Sequence, residues 1–134
     1  MLLYVILDYV VYAEMVNFET ATNSCRANGG EIALPTSNVT STSVMSAVAL
    51  KYDELVTAVW PYTSWSELQF VWINLQEDEN NTAQSDLTFL NYKEGQPNYG
   101  HEKCVAFEYA NFGFWSDRSC TEQYPYVCEF LSKF

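Results

Sequence analysis

The oxygen-bearing side chains between residues 95 and 117 are the part of the sequence best suited to chemistry. Two amides, two carboxylates and a hydroxyl are spaced along this stretch: Gln96, Asn98, Glu102, Asp117 and Ser116. Such oxygens are the ligands that Ca2+ prefers, because it takes about 6–8 of them in a flexible geometry. Only an X–Pro bond adopts cis at low cost, and a cis bond at Pro97 would place its two neighbours on one side of an ion. The alternative is a solvated loop with a turn proline.

Catalytic constellations are missing from the sequence. His101 is the only histidine, and the sequence contains no G-x-S-x-G motif, no H-E-x-x-H motif and no glycine-rich phosphate loop. Nothing marks a carboxylate pair of the glycosidase type, although such pairs have no sequence signature. We therefore expect a binding protein and not an enzyme.

Length and charge narrow the classes of protein further. The chain has 134 residues, 49% of them hydrophobic, so we expect a single domain over residues 1–134 with its own core. Six Lys and Arg against 17 Asp and Glu give a net charge of −11, which repels nucleic acid and anionic lipid. No stretch approaches the roughly 20 apolar residues of a membrane span. We expect no nucleic-acid partner and no membrane insertion.

The four cysteines predict two disulfides. The spacing of Cys25, Cys104, Cys120 and Cys128 lacks the C-x2-C pairs of a zinc site, and His101 is the only histidine. No redox C-x-x-C occurs. Four cysteines allow three pairings, which their number leaves open. Structural disulfides are typical of secreted proteins, and the sequons Asn38-Val39-Thr40 and Asn80-Asn81-Thr82 agree with an extracellular location.

The elements that must position the oxygen ligands follow an α+β pattern. We predict a strand or hairpin over residues 2–13, followed by a helix that is capped by Asn17 and ended by Gly29 and Gly30. A strand over residues 32–34 and a second helix over residues 37–52 come next. Later strands are predicted over residues 70–75, 104–109, 113–116 and 126–130. Residues 60–65 and 76–103 are predicted as loops, and a long loop inside a compact domain is usually functional. Its acidic run 77–79 is interpreted as a solvated tip.

Several segments, in this order along the chain, resemble the C-type lectin domain. Phe18-x-x-Ala21-x-x-x-Cys25 before Gly29-Gly30 resembles the family's first helix, and Trp72-Ile73-Asn74-Leu75 resembles its W-I-G-L strand, with Asn74 in place of glycine. Further along, Gly95-Gln96-Pro97-Asn98 resembles the family's E-P-N or Q-P-D calcium motif, and Glu102-Lys103-Cys104-Val105 resembles the segment that gives the next ligand. Trp115-Ser116-Asp117 resembles its W-N-D motif, and Pro125-Tyr126-Val127-Cys128-Glu129 resembles its closing strand.

The resemblance covers nearly the whole chain and implies an α+β, C-type lectin-like fold. It implies two helices, antiparallel sheets and a long calcium- and ligand-binding loop. It also selects one pairing of the cysteines, Cys25–Cys128 with Cys104–Cys120. Trp115 is implied to be a core residue.

For function, the resemblance implies a secreted lectin that binds carbohydrate through Ca2+. Gln96, Asn98, Glu102 and Asp117 would hold the ion while hydrogen-bonding two sugar hydroxyls. Ser116 replaces the family's Asn, so its hydroxyl or a water would have to act as the remaining ligand. Because Ser116 and Gln96 both weaken the ligand set, we expect Ca2+ dissociation constants on the order of 10⁻⁴–10⁻³ M.

The predicted sugar type depends on the Gln96-Pro97-Asn98 motif, which combines features of two family motifs. Gln96 matches the family's galactose-type motif, whereas Asn98 matches its mannose-type motif. Tyr99 is placed to stack on a galactose-type sugar, with a buried loop anchor as its alternative role, so we favour galactose-type over mannose-type glycans. His101 is a further candidate sugar contact, with a solvated turn residue as the alternative.

Two further expectations concern partners. Weak single sugar sites favour multivalency, and an exposed apolar N-terminal strand can pair across an edge, so we expect a homo-oligomer, most simply a dimer. The alternative function is a C-type-lectin-like module that binds proteins without calcium or sugar. Ser116 and the aromatic loop at residues 60–65 favour that alternative.

Overall fold

The computed structural model describes residues 5–58, 68–77, 89–96 and 103–133. Two α-helices occur in these ranges, α1 (Phe18–Ala27) and α2 (Asn38–Ala58). The described strands are β1 (Val5–Val16), β2 (Glu31–Ile32), β3 (Phe70–Gln76), β4 (Cys104–Glu108), β5 (Phe114–Arg118) and β6 (Tyr124–Lys133). Neither helix is both long enough and apolar enough to cross a membrane.

The described strands form one sheet with the order β1-β6-β3-β4-β5, and β2 also pairs with β6. The pairs are antiparallel except that of β3 with β6, which is parallel at Trp72 and Tyr126. Strands β4 and β5 are in register from Cys104 opposite Arg118 to Glu108 opposite Phe114. The predicted α+β fold with two helices and a mainly antiparallel sheet is confirmed.

Helix α1 begins and ends where the sequence indicates. The Asn17 side chain accepts a hydrogen bond from the Thr20 backbone N–H at 2.9 Å, so the predicted N-cap is confirmed. After the helix, the chain passes so close to β6 that any side chain at Gly30 would collide with the Glu129 backbone and the Phe130 ring. Glycine at this position therefore lets the chain turn into β2.

Both predicted disulfides form, Cys25–Cys128 and Cys104–Cys120. The first ties α1 to β6, and the second ties the start of β4 to the turn after β5. On the loop-closure description, each contributes roughly 3–5 kcal/mol, and the longer loop contributes more. The second disulfide fixes one end of the strand pair β4–β5, and the predicted ligand Asp117 lies near that end.

The core lies on both faces of the sheet. One cluster packs α2 against the sheet and contains Val44, Val48, Phe107 and Trp115, while the other packs α1 around Trp72. Trp115 is fully buried, as the resemblance implied. Its ring makes edge-to-face contacts with the rings of Phe89 and Tyr92, which anchor the segment that leads to Gln96.

Several boundaries differ from the sequence prediction. The first element is one long strand and not a hairpin, because it pairs with β6 from Val5 to Val16 with only an irregularity after Tyr12. β6 is longer than predicted for the same reason. Helix α2 continues to Ala58, beyond the predicted residue 52. The predicted loop at residues 60–65 lies outside the described residues.

Candidate functional site

Gln96 is brought to β5 by the short segment that precedes it. The Trp115 backbone N–H donates to the Asn91 carbonyl at 2.8 Å, and the Lys93 N–H donates to the Trp115 carbonyl at 2.7 Å. The chain then turns, with the Gln96 N–H donating to the Lys93 carbonyl at 2.8 Å. Gly95 has φ +85°, a left-handed conformation that glycine adopts without steric cost. The turn directs Gln96 back toward the strand.

Gln96 and Asp117 meet at this point. The Gln96 Oε1 atom accepts a hydrogen bond from the Asp117 backbone N–H at 3.3 Å. Asp117 lies opposite Val105 in the β4–β5 pair and is only 3% exposed. A carbonyl oxygen has two lone pairs, so Gln96 Oε1 can accept this bond and still contact a cation. Two of the predicted ligands are therefore neighbours.

A second buried carboxylate, Glu77, lies close to the first. Glu77 follows β3, is 4% exposed and accepts a hydrogen bond from the Tyr92 hydroxyl at 2.7 Å. Its backbone N–H donates to the Lys103 carbonyl at 2.8 Å. Burial, the hydrogen bond to Glu77 and the negative charges of Glu77 and Asp117 all raise the pKa of Tyr92 far above its ordinary value. The phenol thus lies in the field of both carboxylates and stays protonated.

The interpretation of residues 77–79 as a solvated tip is wrong for Glu77. The sequence contained a signal for its burial, since Ile73, Leu75 and Glu77 alternate along the strand and the first two are buried. Continuing that period places Glu77 on the core face of the sheet. Tyr92 was also missed, because its partner Glu77 lies 15 residues away in the sequence.

Ser116 faces away from Asp117, since neighbouring residues in a strand point to opposite faces. The residue is 1% exposed, and its Oγ accepts a hydrogen bond from Arg118 Nε at 3.2 Å. On the same face lies the buried carboxylate of Glu108, with Lys93 Nζ at 3.1 Å and Arg118 Nη2 at 3.6 Å from its oxygens. Asn111 also donates to Glu108.

This second cluster holds the two segments of the site together. Lys93 belongs to the segment that carries Gln96, and Arg118 follows Asp117 in β5. Burial alone would raise the pKa of Glu108, but hydrogen bonding with Ser116, Lys93 and Asn111 and the charge of Lys93 outweigh it and hold that pKa below its ordinary value. Glu108 is therefore an ionised anchor beneath both segments.

The remaining predicted site residues are Asn98, Tyr99, His101 and Glu102, and they lie outside the described residues. Within the described ranges, no group of three or more His, Cys, Asp and Glu side chains converges as a metal site. The described part contributes Gln96 and Asp117 from the predicted ligand set, with Glu77 nearby. These are oxygen donors, which agree in chemical type with Ca2+.

Comparison with known proteins points to one family. The C-type lectin domain family matches residues 14–130. Collectin-10 of Gallus gallus is 32% identical over 133 residues, covering 93% of this chain and 42% of its own length. This chain therefore spans less than half of that relative.

Solved structures share the fold. Human lithostathine superposes with a TM-score of 0.73 at 19% identity, covering 94% of this chain and 84% of that one. The carbohydrate-recognition domain of the mouse scavenger receptor C-type lectin gives 0.63 at 23% identity, covering 92% and 87%. The family match runs from the end of β1 through most of β6 and includes both helices, Gln96 and Asp117, and on this basis the chain belongs to the C-type lectin domain family.

Proposed function

We propose that this chain is a calcium-dependent carbohydrate-binding module and not an enzyme. The observation that carries the proposal is the contact between Gln96 and the Asp117 backbone, which brings an amide oxygen and a buried carboxylate to one edge of the sheet. The resemblance adds Asn98 and Glu102 as further ligands. Ser116 was also predicted as a ligand, but its hydroxyl accepts a bond from Arg118.

The donor chemistry fits Ca2+, and the buried side chains of Glu77 and Asp117 bring carboxylate oxygens to the same face of the sheet. A bound Ca2+ would supply a positive centre on which two sugar hydroxyls complete the ligand shell. The protein's part is to accept hydrogen bonds from sugar hydroxyls at Asp117 and Glu102 and to donate hydrogen bonds from the Gln96 and Asn98 amides. Gln96 brings no charge to this set, so we keep the expectation of weak Ca2+ binding.

Calcium binding is tested by thermal unfolding with and without the ion. For dissociation constants on the order of 10⁻⁴–10⁻³ M, 10 mM Ca2+ stabilises a native site by about 1.4–2.7 kcal/mol. We expect a melting temperature several degrees higher, reversed by EDTA. Asp117→Asn should abolish the response, while Glu94→Gln, which removes an exposed charge from the turn before Gln96, should keep it. No response of the parent chain at 10 mM Ca2+ would refute the proposal.

The sugar class is tested on a glycan array with and without Ca2+. We propose galactose-type ligands over mannose-type ligands, because Gln96 matches the galactose-type motif and Tyr99 can stack on the sugar. Binding that needs Ca2+ and favours terminal galactose would support this assignment. Calcium-dependent binding restricted to mannose-type glycans would contradict the galactose assignment and leave the lectin proposal standing.

We also propose that the protein is secreted and forms a homodimer through β1. This strand lies at one end of the strand order, and Val10 on it and Leu50 on the neighbouring α2 are exposed apolar residues. An exposed edge strand is a template for pairing with another chain. Light scattering at micromolar concentration should give twice the chain mass, and Val10→Lys should halve it. A parent chain that is monomeric would contradict the dimer.

One observation favours a second function, protein binding without calcium or sugar. Ser116 is held by Arg118 beside Glu108, so the family's Asn ligand has no counterpart facing the site. Under this alternative, a folded chain would bind no sugar on the glycan array and would show no change of melting temperature with Ca2+.

A further inference from the structure

The sequon Asn38-Val39-Thr40 takes no part in the candidate site, and it lies at the start of α2. Asn38 is exposed, and the neighbouring Val39 is 76% exposed. N-linked glycans are bulky and hydrophilic, so the asparagine that carries one must lie at the surface of the folded protein. Asn38 meets that condition.

The local hydrogen bonds leave the Asn38 carboxamide available. The helix start is capped by its neighbours: the Thr40 N–H donates to Ser37 Oγ at 3.2 Å, and the Ser37 N–H donates to Thr40 Oγ1 at 2.9 Å. In the described part of the chain, the Asn38 side chain makes no hydrogen bond, while its backbone carbonyl accepts one from the Thr42 hydroxyl at 2.9 Å. Attaching a group to Nδ2 therefore breaks no hydrogen bond among the described residues.

The position in the fold separates Asn38 from the candidate site. Ser41, one turn into α2, lies against Gly113, where an added Cβ would be 3.3 Å from Ser41 Oγ. Gly113 precedes β5, and Asp117 lies four residues further along, about 13 Å at the rise of a strand. The attachment point at the start of α2 thus lies away from the Gln96–Asp117 end of the sheet.

The same corner of the molecule exposes an aromatic side chain. Phe112 is 82% exposed and has φ +58°, a left-handed conformation that is unfavourable for a residue with a side chain. It adjoins Gly113, which lies beside Ser41 in the first turn of α2, and Ser41 is on the same side of the helix as Asn38 three residues earlier. Covering this ring would remove apolar surface from water, which is favourable.

We propose that Asn38 is N-glycosylated and that the first sugars cover the exposed ring of Phe112. The donor is a lipid-linked oligosaccharyl diphosphate. Asn38 Nδ2 forms a bond to C1 of the first sugar and gives up one proton, while the C1–oxygen bond breaks and the lipid diphosphate leaves with the electron pair. The inference rests on passage through a secretory pathway and not on calcium or sugar binding.

The test uses the 134-residue chain directed into the secretory pathway of a eukaryotic host by a cleavable signal sequence. An Asn80→Gln background removes the other sequon, and both secreted and retained material are analysed by mass spectrometry before and after peptide N-glycosidase treatment. We expect one glycan, its loss in Asn38→Gln and its retention in Thr40→Ser. Ser37→Ala removes the helix cap but keeps the sequon, so it should also retain the glycan. An unmodified Asn38 in the Asn80→Gln chain would overturn the proposal.

Covering of Phe112 by the glycan has its own readout. Enzymatic removal of the glycan should lengthen retention on a hydrophobic interaction column, and Phe112→Ser should cut that increase by at least half. An equal increase in the Phe112→Ser protein would refute the covering. Asn38→Gln should keep the calcium response of the parent, so failure of this inference is distinguishable from failure of the lectin proposal.

Discussion

The buried carboxylate of Glu108 should stabilise the fold at neutral pH and lose that effect in acid. Glu108 is 1% exposed and lies 3.1 Å from Lys93 Nζ and 3.6 Å from Arg118 Nη2. Breaking a buried ion pair costs about 3–5 kcal/mol. The Lys93 and Arg118 side chains are 38% and 29% exposed, so water recovers part of this cost. We expect Glu108→Gln to lower the free energy of unfolding by roughly 2–3 kcal/mol at pH 7.

The pH dependence follows from the lowered pKa of Glu108 in the folded protein. A carboxyl group with a lowered folded pKa contributes stability above its unfolded pKa and loses it as the pH falls through the folded value. The deficit of Glu108→Gln should therefore be largest at pH 7, begin to shrink below the ordinary value of 4.5, and approach zero once the parent carboxyl is protonated.

The assay is urea unfolding followed by tryptophan fluorescence at pH 7, 5 and 3, with the disulfides intact. Glu54→Gln is the matched control, because Glu54 pairs with Lys51 at 3.2 Å on the surface and its loss should cost less than about 1 kcal/mol. A Glu108→Gln deficit below about 0.5 kcal/mol at pH 7, or one that persists unchanged at pH 3, would show that Glu108 does not act as an ionised anchor.

Two further substitutions probe the buried Glu77 and the half-buried Glu129. Tyr92→Phe removes the donor to Glu77 and should cost about 1–3 kcal/mol in urea unfolding and weaken the calcium response, whereas an unchanged stability would contradict the 2.7 Å contact. The pKa of Glu129 is raised by burial and by Glu31 across the strand pair, so the ionised group destabilises the fold as the pH rises. Glu129→Gln should therefore raise the melting temperature at pH 7, with a gain that shrinks toward pH 4, and a loss at pH 7 would refute this.

The sequence predicted the features that depend on local pattern or on a short motif. The Asn17 cap, the position of Trp115 in the core and both disulfides are confirmed. Helix α2 extends past residue 52 because tertiary packing, more than local pattern, decides where a helix ends.

The buried charges could not be predicted in the same way. Glu108 follows the apolar run of β4, so its burial is readable from the strand, but its partners Lys93 and Arg118 are 15 and 10 residues away and reach it only through the fold. The Tyr92–Glu77 bond likewise needs the register between β3 and the segment beside β5. Long-range polar pairs depend on the exact placement of strands, which hydrophobic periodicity does not specify.

The two faces of β5 carry different charged groups. On one face, Arg118 and Lys93 form ion pairs with Glu108, and these pairs connect β5 and the segment before Gln96 to β4. On the other face, Asp117 and Glu77 act together on the Tyr92 phenol. Because strand alternation directs Arg118 away from Asp117, β5 is anchored without placing that guanidinium on the side where a cation would bind. Loss of Glu108 should therefore weaken calcium binding by loosening both segments, although Glu108 touches neither Gln96 nor the proposed ion.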